Sequence, residues 1–275
     1  MDKLLNRRKF LKMMGVGGVY FIVSKLPLGG SLATFLKVEE SPDNDHSGVR
    51  YGMIIDAGAC TGCRQCIYSC KEENNIPNAP IPMSWIETFE MDEQESITEL
   101  HSVHPSESKT SYTKSPIPGK WYLSVNCLHC EDPPCVKVCP VGATFKAEDG
   151  IIEVNYDKCI GCRQCMAACP YNARSFNWGK PDIQEDQLNS EVPVRPSGVV
   201  EKCTFCQHRV REGRPPRCVE VCPVGARHFG DLNNSDSKVS RLLRANITSV
   251  LLSEMSTKPN LLYVTGGRKW IREEG

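Results

Sequence analysis

Apolar positions in this chain come in short runs. Tyr51-Gly52-Met53-Ile54-Ile55-Asp56 reads as a strand. Trp121 to Val125, Ile151 to Val154 and Leu261 to Val264 read the same way. Between Phe145 and Ile151, Lys-Ala-Glu-Asp-Gly predicts a hairpin turn, with Asp149-Gly150 as its signal. One stretch has a helical period: Val239, Leu242, Leu243, Ile247 and Val250 predict a helix over Ser237 to Leu252. That helix and the strand at Leu261 to Val264 are expected to clamp the preceding modules together. The polar segments separate these elements. Met91 to Lys120 is rich in Glu, Ser and Thr, and is either a solvated loop or a docking surface.

The N-terminus follows another pattern. Asn6-Arg7-Arg8-Lys9-Phe10-Leu11-Lys12 precedes an apolar stretch from Met13 to Ser24. Lys25 and Pro27 end that stretch before it reaches bilayer-spanning length. A basic flank before a short apolar run is an export signal, not a fold element. Its adjacent arginines, with Phe10 and Leu11, resemble a twin-arginine signal. Ser31-Leu32-Ala33 offers small residues for cleavage after Ala33, and Ser41 to Gly48 reads as a linker.

The sixteen cysteines change the picture most. They fall into four quartets: Cys60, Cys63, Cys66, Cys70; Cys127, Cys130, Cys135, Cys139; Cys159, Cys162, Cys165, Cys169; and Cys203, Cys206, Cys218, Cys222. The first and third have the spacing C-x2-C-x2-C-x3-C, which holds 4Fe–4S clusters in bacterial ferredoxins. Gly62 and Gly161 stand where the cysteine loop needs a positive φ. Gly62-Cys63-Arg64-Gln65-Cys66 recurs as Gly161-Cys162-Arg163-Gln164-Cys165. Three quartets end in Cys-Pro-x-x-Ala, at Ala143, Ala173 and Ala226, with Phe145, Phe176 and Phe229 following. Each unit therefore reads as a cysteine loop, a short helical turn and a strand. In two-cluster ferredoxins the fourth cysteine of a run serves the other cluster, so the quartets should work in pairs. Structural zinc favours two C-x2-C pairs set further apart. Disulfide frameworks belong to much shorter chains.

Composition agrees. Hydrophobic residues make up 40% and aromatics 7% of the 275 residues, a thin supply for a conventional core. Metal binding should then supply folding free energy. Formal net charge is zero, but residues 1–33 hold six basic residues and one acidic, so the remainder is at −5. Four clusters with their thiolates add roughly −8 more. Such a balance excludes nucleic acid as a partner.

Smaller signals stay local. His129 and His208 lie inside complete quartets and are expected near clusters or on the surface rather than as ligands. Arg64 and Arg163 lie between ligands; cluster tuning and plain exposure beside a carboxylate both stay open. Trp85, Trp121, Trp178 and Trp270 are expected to pack. No nucleotide fingerprint follows a strand, and no acid–base or nucleophile constellation is evident, so the catalytic residues are none and the chain moves electrons without transforming a substrate itself.

Cys135-Val-Lys-Val-Cys139-Pro-Val-Gly-Ala and Lys202-Cys203-Thr-Phe-Cys206-Gln-His-Arg209, with the four quartets and the leader, resemble the iron–sulfur subunit of the dimethyl sulfoxide reductase family. The match covers about residues 48–265. Exported members resemble subunits of polysulfide, tetrathionate and formate-dependent nitrite reductase complexes. The resemblance implies four 4Fe–4S clusters in crossed pairs. Cluster 1 takes Cys60, Cys63, Cys66 and Cys222; cluster 2 takes Cys203, Cys206, Cys218 and Cys70. Cluster 3 takes Cys127, Cys130, Cys135 and Cys169; cluster 4 takes Cys159, Cys162, Cys165 and Cys139. Lys71 departs from the usual proline after the fourth cysteine.

The implied partners are an integral membrane quinone-interacting subunit and a molybdopterin catalytic or multihaem cytochrome subunit. The implied location is the periplasm or outer face of the cytoplasmic membrane, reached by the twin-arginine route. A free-standing polyferredoxin is the alternative. The expected fold is α+β, with tandem two-cluster ferredoxin-like modules of short strands, small helices and long loops. Its expected divisions are a signal segment (1–33), a linker (34–48), the first quartet with an insertion (49–126) and a central two-quartet module (127–180). The fourth quartet (181–230) and the clamp (231–275) complete it.

Overall fold

The computed structural model describes residues 48–77, 83–92, 117–179 and 183–264. The signal segment, most of the linker, the polar stretch at 93–116 and Trp270 lie outside the described residues. Strands and helices are short and mixed, as a cysteine-loop protein requires.

The largest sheet has four strands, and it is built from both ends of the described chain. β1 (Tyr51–Asp56) lies between β10 (Leu261–Val264) and β8 (Arg227–Asp231), with β9 (Thr248–Ser249) beyond β10. β1 and β10 run parallel, with Met53 opposite Leu261; β1 and β8 run antiparallel, with Ile54 opposite His228. The two outermost quartets in sequence are thereby brought together, because β1 leads into Cys60 and β8 leaves Cys222.

Three two-stranded ribbons carry the rest. β2 (Ile86–Asp92) pairs along its full length with β3 (Lys120–Asn126), which delivers Cys127. β4 (Thr144–Lys146) and β5 (Ile152–Val154) form the hairpin that Asp149-Gly150 predicts, with Gly150 at φ 81°. β6 (Ser175–Phe176) pairs with β7 (Val200–Glu201), which joins the exit of the third quartet to the entry of the fourth.

Helices are brief where proline follows the last cysteine. α2 (Pro134–Lys137), α3 (Gln164–Ala167), α4 (Gln207–Val210) and α5 (Arg217–Glu220) are four residues each. α1 (Gln65–Glu73) has nine and runs through Cys70. Lys71 explains this: it supplies the backbone N–H and the freedom that proline would remove, so another turn forms.

The C-terminal helix is shorter than the periodicity predicts. α6 spans Lys238–Ala245, capped by Ser237, whose side chain accepts from Ser240 N at 3.1 Å. It ends because Asn246 turns extended (φ −133°, ψ 154°), with its Nδ2 donating to Leu242 O at 2.9 Å. The β-branched Ile247-Thr248 then favours strand over helix, and β9 forms. Ile247, a supposed packing position, is 74% exposed. Val239 and the flanks of Leu242 and Leu243 do pack on Ile54 and Val264, so α6 covers the sheet.

The main core combines strand residues such as Met53, Ile55, Phe89, Leu123, Leu261 and Tyr263 with Cys70, Cys127, Cys130, Cys203 and Cys218. A second, small core consists of Cys135, Ile152, Cys165 and Val200.

Candidate metal centres

The cysteine loops curl through left-handed residues. Gly62 (φ 68°) and Arg64 (φ 59°) flank Cys63; Gly161 (φ 66°) and Arg163 (φ 61°) flank Cys162. Glycine is required at both first positions by space as well as φ. A Cβ on Gly62 would stand 2.4 Å from the Tyr122 ring, and one on Gly161 2.1 Å from Gly198 O. After the last cysteine, Gly142, Asn172 and Gly225 sit at φ 60°, 48° and 61°. Gly142 and Gly225 have open space around them, so there the demand is conformational alone, and asparagine meets it at position 172.

The described structure brings fifteen of the sixteen thiols close to one another in four places. Cys60, Cys63, Cys66 and Cys222 line one cavity with Arg64 and Arg227. Cys70 faces Cys203, Cys206 and Cys218. Cys169 and Cys130 face Cys127 and Cys135. Cys165 faces Cys159 and Cys139, and also Cys135 across the module. Cys222, Cys70, Cys169 and Cys139 thus each lie near cysteines of another quartet. Cys203 also faces Cys127, so the second and third groups adjoin.

Burial follows this order. Cys70, Cys203, Cys206 and Cys218 are buried, as are Cys127, Cys130 and Cys135, while Cys169 of the third group is half-buried. Among Cys60, Cys63, Cys66, Cys222, Cys139, Cys159, Cys162 and Cys165, only Cys165 is buried, and Cys162 is exposed. The two outer groups thus reach the surface at opposite ends of the series.

All sixteen are free thiols, and their surroundings suit metal-bound thiolate. Burial pushes Cys60 and Cys169 up to about 11, and Cys130 and Cys218 up to about 12. Coordination overrides such a cost, because a metal deprotonates its thiols outright. Cys139 differs. Burial raises it, but N–H groups of Thr144, Val141 and Ala143 outweigh that, and the thiol lies below its usual range. Donors also reach other sulfurs: Ala226 N to Cys222 at 3.2 Å, Phe205 N to Cys203 at 3.4 Å, and Asn74 Nδ2 to Cys70 and Cys206 at 3.6 Å. These donors fit the sulfur shell of an iron–sulfur cluster.

His129 occupies the junction of the inner groups. It is fully buried, stacks on Phe205 at 3.7 Å between centroids, and its Nδ1 accepts from Ile152 N at 3.0 Å. Burial and the nearby Lys202 and Arg174 push its protonation far down, so the ring is neutral. His208 instead joins a part-buried ionic network. Its Nε2 lies 2.8 Å from Glu73 Oε1, and Arg209 bridges Glu73 and Glu220. That network fastens α1, with Cys70, to α4 and α5.

The two repeat arginines part company. Arg64 is buried, with Nη1 donating to Gly62 O at 3.3 Å. Arg163 is exposed and lies over Phe176 and Trp178, 5.2 Å from each ring centre. Trp85 and Trp121 pack in the core, but Trp178 is 54% exposed, contrary to expectation, and meets Phe176 edge-on at the surface with Arg163 over its ring. Sequence reasoning did not single out Arg174, Arg227 or Asn126. The first two follow directly on the Cys-Pro-x-x-Ala motif, which was the available signal.

Comparison with known proteins decides the class. A 4Fe–4S dicluster model matches residues 59–143, and a second matches residues 120–192 and 188–232. A dimethyl sulfoxide reductase iron–sulfur subunit of Halobacterium salinarum is 45% identical, covering 80% of this chain and 82% of its own. The chain belongs to this family of reductase iron–sulfur subunits. The menaquinone reductase iron–sulfur cluster-binding subunit of Nitratidesulfovibrio vulgaris is 39% identical, over 82% of this chain and 92% of its own. A tetrathionate reductase subunit of Salmonella typhimurium is 34% identical, over 94% and 88%. As a member, the chain carries four 4Fe–4S clusters in tandem dicluster units. It is an electron-transfer subunit of an oxidoreductase complex, not the catalytic subunit.

Proposed function

We propose that the chain is a linear wire of four clusters held by crossed quartets, running between a quinone-reactive membrane subunit and a molybdopterin catalytic or multihaem cytochrome subunit. The ligand sets are those the resemblance implies: Cys60, Cys63, Cys66, Cys222; Cys203, Cys206, Cys218, Cys70; Cys127, Cys130, Cys135, Cys169; and Cys159, Cys162, Cys165, Cys139. The observation that carries this reading is the burial order: seven of the eight inner thiols are buried, all but Cys169, and seven of the eight outer thiols are not, all but Cys165. Each cluster, when bound, supplies one-electron redox chemistry. The protein positions neighbours, excludes water from the inner pair and leaves the outer pair accessible.

Exposed apolar side chains flank the outer ligands. Ile160 (64% exposed) and Trp178 lie by the fourth group, with Val138 and Val141 beside Cys139; Val224 and Tyr68 lie by the first. Such collars suit docked partners better than a freely diffusing polyferredoxin. Among the described residues no helix is long and apolar enough to cross a membrane. Placement on the periplasmic side by the twin-arginine route rests on Arg7 and Arg8, and Lys at both should strand the protein in the cytoplasm with clusters intact.

The test is an assay of purified holo-subunit with reduced dye and with menaquinol, before and after adding source membranes. Menaquinol should reduce the clusters only with membranes present, and no oxyanion should turn over at any stage without the catalytic partner. Turnover by the isolated chain would replace this reading with a catalytic one.

A further inference from the structure

Cys-Pro-x-x-Ala-Arg occurs twice: Cys169 to Arg174 and Cys222 to Arg227. After Cys139 the same place is held by Thr144, and α1 continues where the first quartet would have it. Both arginines are buried, Arg174 at 5% and Arg227 at 4% exposure. A buried cation is costly unless an anion compensates it.

The bonds of Arg227 go to neutral groups and a thiol. Nη2 donates to Ser124 Oγ at 2.5 Å; Nη1 reaches Asn126 Oδ1 at 3.2 Å, Met53 Sδ at 3.4 Å and Cys218 Sγ at 3.6 Å. The same side chain lines the cavity of Cys60, Cys63, Cys66 and Cys222. It therefore touches both thiol groups of one crossed pair. Tyr263 is also near, but its hydroxyl proton is committed to Ser124 O at 3.1 Å. The anions that can compensate Arg227 are cluster thiolates, with Cys66, Cys218 and Cys60 facing it.

Arg174 repeats this in the other pair. Nη1 donates to Thr144 Oγ1 at 3.3 Å, and Nη2 has no oxygen or nitrogen acceptor. It faces Cys135 and Cys127 of the third group and Cys165 of the fourth. The threonine at the equivalent position thus accepts from Arg174.

We propose that Arg227 and Arg174 are the charge-setting residues of the wire, each shared by the two clusters of one crossed pair and holding both at raised reduction potential. This rests on the crossed ligand sets above. One-electron reduction adds a negative charge to a cluster, and a fixed cation stabilises the reduced state. Sharing one cation raises both members of a pair together, which lifts the pair without changing the step between its two clusters.

The test is a potentiometric titration of the full holo-protein, followed by paramagnetic resonance, with iron and sulfide assayed on each variant. In Arg227→Gln, two clusters should lose at least tenfold in reduced-to-oxidised ratio at their original midpoints, a fall of ~59 mV for one electron. Arg227→Lys should restore most of it, and the other two clusters should not move. Arg174→Gln should move those other two and spare the first. Unmoved midpoints at full iron content overturn the proposal while leaving the ligand sets standing. So does a fall that Lys does not restore, or loss of clusters in both variants at one position, since shape and not charge would then be at work. If the two clusters that respond to Arg227 prove not to be those of Cys60 and Cys218, the ligand sets themselves fail.

Discussion

The two crossed thiol groupings are housed very differently. The one containing Cys60 and Cys222 rests on a four-stranded sheet, α6 and the main core, where Ile55, Leu123 and Leu261 are fully buried. The one containing Cys139 and Cys159 is split: Cys127 and Cys130 share the main core, but around Cys135 and Cys165 there are only two-stranded ribbons and a core of four buried residues, two of them cysteines. The same cysteine-loop motif thus has apolar burial beneath it in one half, and at the Cys135–Cys165 end of the other has little besides its own cysteines. The reason lies in sequence separation. The first and fourth quartets are far apart along the chain, so sheet and core must close a long loop. The second and third are neighbours and need only a hairpin.

The largest effect expected from this contrast is on cluster removal. Hydrogen exchange of chelator-stripped protein should show β4, β5 and β6 fully exchanged while β1 and β10 keep measurable protection. Equal loss in both halves would break the comparison. Glycine variants sharpen it next. Gly161→Ala drives a Cβ into Gly198 O and should cost on the order of 3 kcal/mol or more, with iron lost. Gly142→Ala meets nothing within 4 Å and should cost only the left-handed penalty, about 1–2 kcal/mol. Denaturant unfolding with iron analysis separates the two. Smallest is Ile247→Ser, expected within about 0.5 kcal/mol because the side chain lies in solvent. A loss near that of a buried isoleucine would place Ile247 back on the helix face.

Much of this was legible in the sequence because metal ligation is a spacing code. The strands at 51–56 and 261–264 were legible to the residue, being short apolar runs between turn signals. That they pair in parallel was not, since no local feature of Met53 or Leu261 records a partner two hundred residues away. The helix at 237–252 was overdrawn because Ile247 and Val250 keep the helical period while β-branching and Asn246 oppose it. Arg64 and Arg163 looked equivalent inside identical pentapeptides, yet one is buried and one exposed. Surroundings decide that, and Gly198 and Tyr122 are remote in sequence.

The crossed grouping of thiols is the central claim, and one pair of variants tests it most directly. Cys70→Ser and Cys222→Ser each remove the last cysteine of a quartet, and each should injure the cluster of the other quartet. Paramagnetic resonance of the reduced proteins, read with their iron content, should show Cys70→Ser altering the signal of the buried site of Cys203, Cys206 and Cys218. Cys222→Ser should alter the accessible site of Cys60, Cys63 and Cys66. The opposite assignment, with Cys70→Ser altering the Cys60 site and sparing the Cys203 site, would contradict the account.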